Sequence, residues 1–174
     1  DRFISVIPAT VYGPNDNFDP DTAHVLSALM ARFQQAEREH LDEVVVWGTG
    51  TPRREFIHAD DLADACMHLM TMDDAVLCAV AGDSGWALNA GSGADQSILD
   101  LATLIKETVN FQGDLVFDPN QPDGTPRKLL DSSRLNSTGW SSQTKLAEGL
   151  DDTYRWYRET LLNAADQKAR YGLR

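Results

Sequence analysis

Two pairs of adjacent cations stand out among the 15 Lys and Arg residues: Arg53-Arg54 and Arg127-Lys128, each placed directly after a Gly-Thr-Pro turn. A guanidinium can chelate a phosphate through two parallel hydrogen bonds, and an ammonium adds a point charge. Trp47, seven residues before Arg54, offers an aromatic face on which a flat base or a sugar can stack. Plainer readings compete at each place, and local spacing favours them. Val44 to His58 also reads as a β-hairpin with a core Trp47 and a solvated arginine pair. Residues 122–131 also read as a surface loop with two exposed cations.

A third constellation is Asp21-Thr22-Ala23-His24 at a helix start, with Arg32 eight residues on. Eight helical residues separate two side chains by roughly 12 Å along the axis and about 80° around it. His24 and Arg32 therefore lie near one face and could reach one long ligand. Histidine titrates close to neutrality, which suits a general acid; the alternative is an exposed histidine in a capping turn. His40, His58 and His68 have no partner spacing that implies a metal and read as structural. No metal site is expected.

The elements that must position these groups follow from periodicity and turn chemistry. Phe3 to Ile7 reads as a strand stopped by Pro8, and Tyr12 to Asn17 as a loop. Asp21 or Thr22 can cap a helix running to about His40, with Val25, Leu29 and Phe33 on one face. Glu43–Trp47 reads as a strand ended by Gly48-Thr49-Gly50, and Arg54 to His58 as another. Asp60 would cap a helix burying Leu62, Cys66, Leu69 and Met70. Trp86 to Asn89 is a strand. Ser97 with Asp100 forms a capping-box-like start to a helix with Ile98, Leu101, Ile105 and Val109 inward. Leu115 to Phe117 is a strand, 118–126 a Pro/Gly loop, and a last helix runs from about Thr144 with Leu146, Leu150, Tyr154, Tyr157 and Leu161 as its stripe. A polar tail from Asn163 should fray.

The pattern is mixed α/β in a single unit, 1–174. Its first strand is apolar on both faces, as central strands of parallel sheets are. Parallel neighbours arrive through crossover helices, so the rest of that sheet is expected upstream of residue 1.

A net charge of −12 argues against nucleic acid, which needs a basic surface. No apolar run reaches 18 residues, so no membrane span is expected. The opening residues lack a basic region and a small-residue cleavage site, and read as no signal peptide. Two cysteines, Cys66 and Cys78, make neither a disulfide framework nor a metal site. A cytoplasmic, reducing compartment fits.

Taken together, several segments resemble one family. Pro8-Ala9-Thr10-Val11-Tyr12-Gly13-Pro14 is similar to the Pro-x-x-x-Tyr-Gly-Pro motif after the sixth sheet strand of extended short-chain dehydrogenases. The continuation through Asn15-Asp16-Asn17-Phe18, His24-Val25 and Trp47-Gly48-Thr49-Gly50-Thr51-Pro52, with Arg54-Glu55-Phe56 and then 122–131, resembles the GDP-L-fucose synthase family in particular. The likeness runs in order to about Tyr157 and overrides the plainer local readings.

The resemblance implies an α/β fold: the C-terminal substrate-binding part of an extended short-chain dehydrogenase, with the last strands of an incomplete Rossmann sheet. It implies an enzyme that epimerises GDP-4-keto-6-deoxy-D-mannose at C3 and C5 and reduces the 4-keto group with NADPH. His24 matches the proposed catalytic acid. Arg32, Arg54 and Lys128 match cationic contacts to the GDP part, and Trp47 an aromatic wall of its pocket. Pro8, Val11 and His24 match positions beside the nicotinamide. Where the family usually has Asn, this chain has Thr10, which lacks the amide's paired donor and acceptor.

The N-terminal dinucleotide-binding domain is expected to be absent from the chain. No G-x-x-G-x-x-G strand–turn–helix occurs to cradle a pyrophosphate, and Gly91-x-Gly93 is an incomplete mimic. No Tyr-x-x-x-Lys pair occurs either, so most of the NADP site and the reductive residues are expected upstream, and the chain alone should not catalyse reduction. A homodimer is implied for the full-length protein. Related alternatives are a GDP-mannose 4,6-dehydratase or a UDP-sugar 4-epimerase; a different class is a non-catalytic nucleotide-sugar-binding module.

Overall fold

The computed structural model describes residues 3–19, 22–82 and 85–162. In chain order they form β1 (Ser5–Pro8), β2 (Thr10–Tyr12), α1 (Val25–Glu39), β3 (Glu43–Trp47), β4 (Arg53–His58), α2 (Ala59–Thr71), α3 (Asp74–Ala81) and β5 (Ala87–Ala90). Then come β6 (Asp95–Ser97), α4 (Ile98–Val109), β7 (Asp114–Asp118), β8 (Arg127–Lys128), α5 (Ser133–Asn136) and α6 (Leu146–Trp156), which a π-helical stretch continues over Tyr157–Leu162.

The architecture is α/β with parallel pairing dominant. β1 pairs with β5 in parallel, and β3 with β7 in parallel. β4 is the hub: it runs parallel to β2 and β8 and antiparallel to β6. β3 and β4 therefore make no hairpin with each other. Gly48 at φ +82° and Gly50 at φ +77° turn the chain out of one sheet into another, a backbone that glycine adopts without steric cost. A Cβ on Gly50 would run into the Phe117 ring.

Two cores hold the layers. One joins α1, α4 and α6 to β3 and β7 through Leu26, Met30, Phe33, Val44, Val46, Leu101, Ile105 and Leu150. The other lies under α2, α3 and β5, with Ile57, Ala65, Leu69, Leu77, Leu88, Leu135 and Trp140. The stripe Ile98, Leu101, Ile105 and Val109 is buried as its spacing implies, and Ser97 caps α4 by accepting the Asp100 N–H at 3.0 Å. Each such aliphatic side chain contributes about 1.5–3 kcal/mol of burial.

Several boundaries differ from the sequence reading. α1 starts at Val25 with His24 as its N-cap residue; Asp21 lies outside the described residues, and Thr22 is held in the preceding turn by Asp19. His58, not Asp60, caps α2, its ring accepting the Asp60 N–H at 3.3 Å. The buried face of α2 is Asp61, Ala65 and Leu69; Met70 is 67% exposed and Cys66 half-buried. The helix is rotated from the expected face because Asp61 is drawn inward by hydrogen bonds. The first strand begins at Ser5 rather than Phe3; Ile4 and Val6 pack inward, while Phe3 and Ile7 are exposed. β2, β6, β8, α3 and α5 had no period long enough to read. The polar tail from Asn163 lies outside the described residues.

Asp61 is buried and accepts from Ser142 Oγ at 2.6 Å and from the Thr144 N–H at 3.0 Å. Burial pushes its carboxyl up, but these donors outweigh burial and leave it below the usual aspartate range. A carboxyl depressed in the folded state contributes stability above its unfolded pKa and loses it as pH falls through the folded one. Thermal melts from about pH 5 down to about pH 2 should therefore show falling stability. The Asp61→Asn variant should show a shallower fall across the same range.

Candidate functional site

The N-terminal half of α1, the end of β3, the start of β4 and the 122–123 segment enclose a cleft of about 460 Å³. Helical spacing puts Val25, Ala28, Leu29 and Arg32 on one wall; Val46, Trp47, Arg54, Pro122 and Asp123 form much of the remainder. The floor is apolar and the rim carries charge, the usual build of a small-molecule site.

Trp47 ends β3, is 59% exposed, and carries the Arg32 guanidinium 5.2 Å from its ring centroid. Such a cation–π contact contributes about 0.5–1 kcal/mol at an exposed site. It occupies one indole face of a side chain that stays largely exposed. Arg54 is anchored from behind, donating Nη1 to the carbonyls of Arg53 at 2.8 Å and Thr125 at 2.6 Å. Two fixed acceptors hold the guanidinium plane and spare its remaining donors.

Asp123 reaches this wall from 74 residues beyond Thr49. It accepts the Thr49 N–H at 2.6 Å and the Thr49 hydroxyl at 2.8 Å. A Cβ on Gly48 would collide with Asp123 Oδ1, so glycine there lets the two loops latch.

The two cation pairs are sorted by strand register. β4 and β8 align Arg53 with Arg127 and Arg54 with Lys128, and successive strand residues point to opposite faces. Arg53 and Arg127 converge on Asp95. Arg53 donates Nε to Oδ1 at 2.9 Å and Nη2 to the Asp95 carbonyl at 2.7 Å, and Arg127 donates Nε to Oδ2. Donation from Arg127 first, then from Arg53, holds the Asp95 carboxyl below the usual aspartate range against the opposing effect of desolvation. Lys128 stands exposed beside Arg54 and is not part of the cleft wall.

Among the other residues singled out in the sequence, His24 is exposed at the α1 N-cap and makes no side-chain capping bond. Its neighbours Ala23 and Val25 line the cleft, but His24 itself does not. The loop before it is tied down by Ser27 Oγ donating to Asp16. Pro8 is exposed at the end of β1 in register with Ala90, and Val11 is half-buried in β2 opposite Ile57. Neither lines this cleft. The structure thus gathers Arg32, Trp47 and Arg54 in one cleft, leaves His24 and Lys128 outside its lining but next to residues that form it, and keeps Pro8 and Val11 elsewhere.

Glu55 had no reading in the sequence beyond the motif, yet it organises the region. It is 2% exposed and accepts the Gly93 N–H at 2.7 Å and the Leu130 N–H at 2.9 Å. The Gly91-x-Gly93 turn therefore presents an amide to the protein's own carboxylate, not to an outside phosphate. Among the described residues no three His, Cys, Asp or Glu side chains gather as a metal site.

Residues 1–80 match the model of the NAD dependent epimerase/dehydratase family. The chain is 51% identical over 160 residues to putative GDP-L-fucose synthase 2 of Arabidopsis thaliana, covering 91% of this chain and 46% of that protein. It is 45% identical over 155 residues to GDP-L-fucose synthase of Escherichia coli K12, covering 89% and 48%. A crystal structure of a GDP-L-fucose synthetase from Naegleria fowleri bound to NADP superposes with a TM-score of 0.78 at 28% identity, covering 90% of this chain and 47% of that one. The chain spans about half the length of the curated relatives it matches.

Proposed function

With residues 1–80 matching the model of the NAD dependent epimerase/dehydratase family as premise, we propose that this chain is the substrate-binding part of a GDP-L-fucose synthase-like enzyme. The observation that carries the reading is the single cleft lined by Arg32, Trp47 and Arg54. Those are the groups a diphosphate and a flat base require, brought together from a helix and two strands of a molecule with net charge −12.

In this reading the diphosphate of a GDP-sugar lies between Arg32 and Arg54, with Lys128 adding a mobile charge from the neighbouring strand. Base or ribose stacks on the open face of Trp47. The sugar extends toward His24, which protonates the carbon of an enediolate formed when a base removes the proton beside the 4-keto group. That base and the reductive residues are assigned to a dinucleotide-binding half preceding residue 1. Its packing would cover the exposed Ile7 of β1 and Phe3 just before that strand.

NADP, when bound, supplies the hydride for reduction of the 4-keto group. The residues present do not fit its pyrophosphate, because the Gly93 amide is already given to Glu55. Pro8, Val11 and His24 are the residues of this chain assigned to the nicotinamide side. The family resemblance supports a homodimer for the full-length protein, and the sparse cysteines fit a reducing, cytoplasmic compartment; among the described residues no helix is long and apolar enough to cross a membrane.

Calorimetric titration of the chain with GDP tests the binding half of this reading. A Kd of about 10–500 µM is expected, with guanosine binding at least about tenfold more weakly because it lacks the phosphates. GDP that evolves no binding heat at millimolar concentration would overturn it.

A further inference from the structure

We infer that Asp95 is a positioning residue for the diphosphate: it binds the first cation of each pair, Arg53 and Arg127, so that Arg54 and Lys128 remain for the ligand. The inference rests on the GDP-sugar reading of the cleft and names a residue that does not itself touch the ligand.

Three observations carry it. Asp95 uses both carboxylate oxygens and its carbonyl on the two arginines, and its side chain is only 6% exposed, so the contact is a built one. The parallel register aligns Arg53 with Arg127 and Arg54 with Lys128, and pleat alternation then sends the two kinds of pair to opposite faces. Finally, β8 is two residues long. A strand that short cannot hold itself, and its cross-sheet tie through Arg127 keeps Lys128 in place and Thr125 against Arg54.

Without Asp95, two guanidiniums in adjacent register would repel each other. The 124–128 stretch would then loosen, and Arg54 would lose its Thr125 acceptor. Trp47 would be unaffected, because Asp123 latches the 48–50 turn separately. The effect should therefore fall on the phosphates and not on the base.

The test compares the ratio of GDP to guanosine affinity in wild type, Asp95→Asn and Arg127→Gln. Asparagine keeps the size and one acceptor. Arg127 is 60% exposed at its side chain, so its replacement leaves the cores intact even where Asp95→Asn fails to fold. Both variants should lower the GDP-to-guanosine ratio about tenfold while guanosine affinity stays within about twofold. A loss of both affinities in parallel would mark Asp95 as merely structural and overturn the inference. So would a ratio unchanged from wild type in Arg127→Gln. If wild type itself binds neither ligand, the GDP-sugar reading falls first and the role of Asp95 falls with it, a result separable from one in which only the variants bind as wild type does.

Discussion

Replacing Arg54 by alanine is expected to weaken GDP binding by about 2 kcal/mol, roughly thirtyfold, with the melting temperature almost unchanged. Hydrogen bonds between a guanidinium and a phosphate are charge-assisted on both sides and among the stronger ones available to a protein. Arg54 is also the best-prepared cation in the cleft, since the carbonyls of Arg53 and Thr125 already fix its orientation. Less side-chain entropy remains to be lost on binding. One of these carbonyls belongs to the adjacent residue of the same strand and the other to a loop, which is why stability should hardly respond. Arg54→Lys should recover a minor share of the affinity, because an ammonium cannot reproduce the planar fork. Lys128→Ala should cost less than Arg54→Ala, because Lys128 is exposed and without a comparable anchor. Titration calorimetry on the three variants orders these effects; equal losses for Arg54→Ala and Lys128→Ala would contradict the ranking.

Replacing Glu55 by alanine should be strongly destabilising, costing about 2–3 kcal/mol. Its two oxygens take the backbone N–H groups of Gly93 and Leu130, segments far apart in sequence, and the site is 2% exposed. Removing the carboxylate takes the acceptor from two backbone donors, of which Leu130 is half-buried and Gly93 is exposed to water, so the cost of the unmade bonds falls at about 1–2 kcal/mol in all. It also opens a void where Gly91 now packs against Glu55. Domains of this size have a total stability of about 5–15 kcal/mol, so the loss is a large fraction of the whole. Glu55→Gln retains one acceptor and should cost about half as much. Urea unfolding of both variants measures the difference, and a Glu55→Ala midpoint equal to wild type would refute the account of this residue.

How much of this was legible in the sequence depends on how local each signal was. The α4 stripe and its Ser97 cap could be read because helix periodicity and capping act within a few residues. β3, β5 and β7 were legible through alternation or short apolar runs bounded by glycine. β2, β6 and β8 are two or three residues long; their strand character comes from pairing with β4, and no local pattern can announce that. The α2 cap and buried face were misplaced for a related reason. Asp61 is inward because Ser142 and Thr144, about 80 residues later, donate to it. The site divides in the same way. Arg32, Trp47 and Arg54 were chosen by chemistry and family resemblance, and the structure puts them in one cleft. Asp95, Asp123 and Glu55 act through partners 32 to 75 residues distant, so only the fold exposes their parts.

The central claim is that one cleft, not several unrelated surfaces, receives the ligand. It is tested most directly by following backbone, indole and guanidinium N–H resonances of the chain as GDP is added. The expected result is that the Trp47 indole and the Arg32 and Arg54 side-chain signals shift together along one saturation curve. The other three tryptophans should stay still. Should GDP move a different tryptophan, or shift Arg54 while Trp47 and Arg32 remain in place, the cleft is not the binding site and the account is wrong.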